Sequence, residues 1–133
     1  MRKNMSYGFS KQVANLSLEQ AELKVREEMS KEGFGVLTEI DVQATMKKKL
    51  DKDYPPYKIL GACNPPLAFQ ALSIDPLLGL LLPCNVIVYK DQQGKTVVAA
   101  IDAEAMMSVV GRQDILTIAE EVNKKLKRVI ENV

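Results

Sequence analysis

The succession of apolar periodicities along this chain predicts an α+β domain: a five-stranded, mostly antiparallel sheet with helices packed on one face. Two observations carry that reading. Runs rich in β-branched residues at 83–90 and 95–101 are joined by the turn 91–94 and form the clearest hairpin in the chain. A long amphipathic stretch then closes the sequence from about Asp114. A doubly wound sheet alternates strand and helix regularly and would not end in a hairpin followed by one long helix. No internal repeat, low-complexity tract or linker interrupts the pattern, so residues 1–133 read as a single domain.

Residues 6–13 read as a strand with Tyr7, Phe9 and Val13 on one face and Lys11 as the exception. Ser17 opens a helix, and with Gln20 it fits a capping box. Leu18, Ala21, Val25 and Met29 form the helix's apolar stripe, and Gly33 suits its C-terminal stop. Phe34, Val36 and Ile40 are expected on one face of a second strand, with Thr38 between them. Asp41 is placed to cap a short helix whose Val42, Met46 and Leu50 are spaced four apart, ended by Tyr54-Pro55-Pro56. Residues 57–63 read as a third strand. Pro65-Pro66 suits a helix start, because the first helical turn needs no proline N–H. That short helix spans 67–72, and Asp75-Pro76 breaks it. In the closing helix Ile115, Ile118, Val122, Leu126, Val129 and Val133 mark the buried stripe. Glu120, Lys124, Lys127 and Glu131 lie opposite.

Composition narrows the function classes. The 133 residues are 47% hydrophobic and 26% charged, ordinary for a globular chain with a real core. The formal net charge of +1 provides no global field for nucleic acid or an acidic membrane. The clusters Lys47-Lys48-Lys49 and Lys124-Lys125 with Lys127-Arg128 sit on helices beside acidic neighbours and read as solvated faces. Arg2 and Lys3 are followed by no apolar run, so a secretory signal is not expected. Residues 77–89 are apolar but fall short of the ~20 residues of a spanning helix. The expectation is a cytoplasmic protein without nucleic-acid or membrane partners. Histidine is absent, which excludes a Ser-His or Cys-His catalyst within one chain. Phosphate loop, nucleophile elbow and dinucleotide fingerprint are absent too, so a non-enzymatic role leads.

Three ordered motifs, Glu39-Ile40-Asp41-Val42, 59–65 with Ala68, and Asp75-Pro76 followed by 81–88, resemble the bacterial and archaeal domain-of-unknown-function family numbered 302. The resemblance covers nearly the whole chain. It implies a small α+β domain with an antiparallel sheet in a TBP-like arrangement, often homodimeric. It implies no activity. The family signal falls on Asp41, Cys63, Asn64, Pro65, Pro83 and Cys84.

The candidate chemistry centres on Cys63-Asn64-Pro65-Pro66 and Leu82-Pro83-Cys84-Asn85. If their strands are antiparallel neighbours, the two thiols lie near each other. Cys63, Asn64, Cys84 and Asn85 are then the expected ligand-binding residues of a pocket, and Cys63 and Cys84 the candidate ligands of a soft metal ion. Two alternatives stand beside that reading. One is thiol redox chemistry at Cys63 and Cys84; the other is a structural or interaction homodimer with inert, buried cysteines. The specificity for metal is weak, with neither a C-x-x-C motif nor four ligands. Lys58 or Arg112 would lower a thiol pKa if the fold brought either close. Asn64 before a proline also suits a helix cap. Glu39 and Asp41 share a strand face as a possible acid–base pair, or serve only as a solvated residue and a cap. Residues 67–82 carry more apolar side chains than a short helix and loop need, which points to a dimer interface or a pocket wall.

Overall fold

The computed structural model describes residues 7–133; the expectation about Arg2 and Lys3 lies outside them. The chain runs β1 (Gly8–Gln12), α1 (Leu18–Lys31), β2 (Gly35–Asp41), α2 (Val42–Leu50), β3 (Tyr57–Cys63) and α3 (Pro65–Ile74). A 3-10 segment, Pro76–Leu81, leads into β4 (Cys84–Lys90) and β5 (Thr96–Ile101). Then come α4 (Ala103–Met107), a short 3-10 turn and α5 (Gln113–Asn132). The strands form one sheet in the order β1-β5-β4-β3-β2, and every neighbouring pair is antiparallel. This is the expected α+β class, with five strands and helices.

The expected local signals form as read. Ser17 and Gln20 close a reciprocal capping box on α1, and Leu18, Ala21, Val25 and Met29 are all buried. Gly33 follows the helix with φ +82, a conformation that costs glycine little. The register sets one sheet face, with Leu60, Val86, Val88, Val98 and Ala100, against α1 and the second half of α5. Leu126, Val129 and Ile130 of α5 complete that core. Lys11, the exception in β1, reaches across to donate to the Glu131 carbonyl at 2.9 Å, and Lys127 lies 5.0 Å over the Phe9 ring.

Three expectations are corrected. Val36 and Ile40 do not share a face. Val36 pairs with Ala62 but Thr38 pairs with Gly61, so a β-bulge adds one residue at Leu37 and reverses the alternation. Ile40 then sits opposite Ile59 on the other side of the sheet from Leu60, and it is exposed. The second correction concerns α2. It ends at Asp51 in the left-handed conformation, φ 54, before the Tyr54-Pro55-Pro56 stretch is reached, and none of its residues is buried. The third concerns α4, a helix that the periodicity did not suggest.

A second, smaller core forms where α3, the 3-10 segment, α4 and the first half of α5 meet, around Ala71, Leu78, Ala103, Met107, Ile115 and Ala119. Buried Asn123 fastens it. Its Oδ1 accepts from the Ala103 N–H at 2.7 Å, and its Nδ2 donates to Asp102 and Glu104 at 2.8 and 2.9 Å. One side chain on α5 thereby fixes the start of α4, and every polar atom of the amide is paired.

Candidate functional site

A cavity of about 270 Å³ opens at the seam between the two cores. Its floor is the end of the sheet, with Phe34, Ala62 and Cys84. Its walls are α3, through Leu67, Ala68, Ala71 and Leu72, and α5, through Ile115, Ile118, Ala119 and Val122. Ala103 and Met107 of α4 and the Leu82–Pro83 pair close the remaining sides. Leu37, turned out by the bulge and 67% exposed, borders the opening. The bulge therefore re-aims one side chain toward the cavity that a regular strand would have sent elsewhere.

The two cysteines border this cavity together. The expected neighbourhood is present, since β3 and β4 are adjacent and antiparallel. The register, however, pairs Cys84 with Ala62, and Cys63 with Gly35 on the other side. Both thiols are free. Cys84 is 6% exposed, and burial pushes its thiol up to about 11, with the nearby Cys63 adding to the rise. Cys84 is therefore a neutral thiol near pH 7, a poor nucleophile and a poor metal ligand. Neither expected cation assists. Lys58 is held by Glu39 at 2.8 Å and Glu22 at 3.3 Å, and Arg112 by Asp114 at 2.8 Å.

Asn64 borders the cavity, but its amide serves the backbone. Oδ1 accepts from the Leu67 N–H at the start of α3, and Nδ2 donates to the Glu32 carbonyl at 3.1 Å. It is the cap that sequence reasoning set beside the ligand reading, and it ties α3 to the end of α1. Asn85 stands opposite Gly61, exposed on the far side of the sheet, and does not line the cavity. Glu39 and Asp41 do share a face, as expected, but neither is poised for acid–base work. Asp41 Oδ1 caps α2 through the Ala44 N–H. Glu39 is bridged by Lys58 and by Arg26 at 2.6 Å, and the hydrogen bond from Lys58 holds its carboxyl below the usual range.

Among the described residues no group of three or more His, Cys, Asp or Glu is arranged to hold a metal ion, and no helix is long and apolar enough to cross a membrane. Phe34, Leu37, Ala103, Met107 and Ala119 were not anticipated as site residues. The one sequence signal for their neighbourhood was Asp102 ahead of Ala103-Glu104-Ala105, an N-cap before helix-forming residues.

The fold and cavity define a small α+β domain, and comparison with known proteins places it. The sequence model of the family described as "Domain of unknown function DUF302" matches residues 9–133. The chain belongs to that family. It is also similar to the crystal structure of an uncharacterized conserved DUF302 protein from Bacillus stearothermophilus, with 25% identity and a TM-score of 0.87. That likeness covers 94% of this chain and 96% of the other. No curated protein matches the chain.

Proposed function

We propose that this domain is a binding module that takes a small organic molecule into the cavity between the sheet end, α3 and α5. The observation that carries this reading is the cavity itself. About 270 Å³ stands half open to the surface here, walled almost wholly by apolar side chains that an ordinary fold would pack away. Concave, apolar, preformed space is the common form of a small-molecule site. An engineered cavity of ~150 Å³ holds a benzene ring, so about 270 Å³ has room for a molecule of roughly 11 heavy atoms. Among the sequence-derived alternatives, the soft-metal and redox readings are the less supported, because the buried Cys84 keeps its proton.

Titration with 2-decanone, followed by backbone amide NMR, tests the proposal. Saturable shifts are expected at Leu67, Ala71, Ala103, Met107 and Ala119, and are expected to weaken in Ala119→Leu, whose three added carbons take up about a quarter of the space. Absence of saturable shifts, or an affinity unchanged in that variant, would overturn it.

A second reading has its own observation. Phe69, Leu77 and Leu80 are 75%, 70% and 85% exposed on α3 and the 3-10 segment. We infer that a second copy of the chain covers this apolar surface in a homodimer. Sedimentation velocity is expected to show a dimer that Leu80→Asp converts to a folded monomer; a wild-type monomer at high concentration counts against it.

A further inference from the structure

We infer that the cavity selects molecules without a formal charge, so that its ligand is a neutral compound such as a ketone, ester, alcohol or hydrocarbon, and not a fatty-acid carboxylate or an alkylammonium ion. This rests on the binding reading above and names the class of its ligand.

The observation behind it is the distribution of charge. Between Lys58 and Lys90 the chain carries a single charged side chain, Asp75, although 26% of all residues are charged. Asp75 is occupied locally, its Oδ1 accepting from the Leu77 N–H at 3.0 Å. This stretch provides most of β3, all of α3, the Leu82–Pro83 pair and the start of β4, so half of the cavity's enclosure is uncharged.

The elements that complete the enclosure place no charged side chain in its lining either. At the end of α1, Glu32 is matched by Arg128 of α5 at 2.8 Å. Glu39 of β2 is matched by Arg26 and Lys58. Arg112, just before α5, is matched by Asp114, and Glu104 of α4 accepts from Asn123. Glu120 and Lys124 lie on the exposed side of α5. The residues at the opening, Leu37 and Leu72, are apolar.

Inside, no group carries a charge to answer one. The Asn64 amide already donates and accepts at the backbone, and the remaining polar side chains of the lining are the thiols of Cys63 and the buried Cys84. A carboxylate or ammonium drawn into this space loses its hydration and gains no charged partner, which costs several kcal/mol in real proteins. If its head stays outside, it meets an apolar rim and surrenders part of the tail's burial instead.

Three probes of roughly 11 heavy atoms, matched to the cavity, test the inference: methyl octanoate, nonanoate and decylammonium. Each is titrated against the full chain at neutral pH, below its micellar concentration, with amide NMR as readout. The ester is expected to bind at least about tenfold more tightly than either ion, a gap of about 1.4 kcal/mol. Nonanoate or decylammonium binding as tightly as the ester at the same amides would overturn the selectivity while leaving the cavity a binding site. No saturable binding by any of the three would instead remove the binding reading on which it rests. Ala119→Leu is the control for site: ester affinity that is undiminished in it does not come from the cavity and also refutes the inference.

Discussion

The two cores share one helix and differ in how they are finished. The second half of α5 lies on the sheet with α1, where Leu126 and Val129 share one buried cluster with Val25, Met29, Val86 and Val88, none of which lines the cavity. The first half of α5 faces α3 and α4, where Ile115 and Ala119 are just as buried but border open space. Burial alone therefore does not distinguish a structural wall from a binding wall. The difference lies in what stands opposite: a pleated sheet presents a continuous surface of side chains, whereas short helices meeting at a sheet end leave their volumes imperfectly matched.

The largest effect that tests this contrast is expected in the filled core. Leu126→Ala removes a side chain with no exposure and is expected to cost about 2–5 kcal/mol in urea unfolding. A cost well below that range would mean that the first core is as loosely packed as the second.

The floor of the cavity is expected to show a pH signature. The folded Cys84 thiol keeps its proton up to about 11, against an ordinary value of 9.0. The folded state thus binds the proton more tightly than the unfolded chain. The corresponding stability is fully present below pH 9 and is lost as pH rises toward 11, a decline of up to about 3 kcal/mol. Because other groups titrate in the same window, the measurement is the difference between wild type and Cys84→Ala. Parallel stability curves would contradict the buried, neutral thiol.

Next in size is Asn123. Replacing it with alanine strands the buried Ala103 N–H and releases Asp102 and Glu104, with an expected cost of about 1–3 kcal/mol. Hydrogen exchange at the 103–107 amides is expected to speed up while the α1 amides stay protected. Equal loosening of both regions would show that the two cores are one cooperative unit.

The smallest effect makes the sharpest comparison. Ala21→Leu forces extra methylenes into the filled core and is expected to cost about 1–3 kcal/mol. Ala119→Leu adds the same atoms beside the cavity and is expected to change stability by less than about 1 kcal/mol. Equal costs, measured by denaturant midpoint, would erase the distinction between the regions.

Much of this contrast was hidden in the sequence, for an identifiable reason. The stripe of α1 was legible because its neighbours repeat every three or four residues, and α5 was legible likewise. The seam was legible only where the apolar stretch 67–82 suggested a dimer interface or pocket wall, because Phe34, Met107 and Ala119, which complete it, come from distant parts of the chain. The resemblance pointed to Asp41, Cys63, Asn64, Pro65, Pro83 and Cys84; Cys63, Asn64, Pro83 and Cys84 border the cavity, whereas Asp41 and Pro65 do not. Asn85, one residue further along β4, points away because strand neighbours alternate.

The sequence by itself determined what depends on residues close along the chain. The Ser17–Gln20 box, the Asp41 and Asn64 caps, the β4–β5 hairpin and the Ile115, Leu126 and Val129 part of the closing helix's buried face are all short-range matters of hydrogen bonding and periodicity. In that helix Ile118, Val122 and Val133 are only partly buried, and Ala119, Asn123 and Ile130 take the remaining buried positions. Only the tertiary structure decided the bulge that exposes Leu37, the register that sets Cys84 against Ala62, and the open volume beside Ala119. Those features are fixed by how whole elements fit against one another, and the space left between packed surfaces is a property of all of them at once.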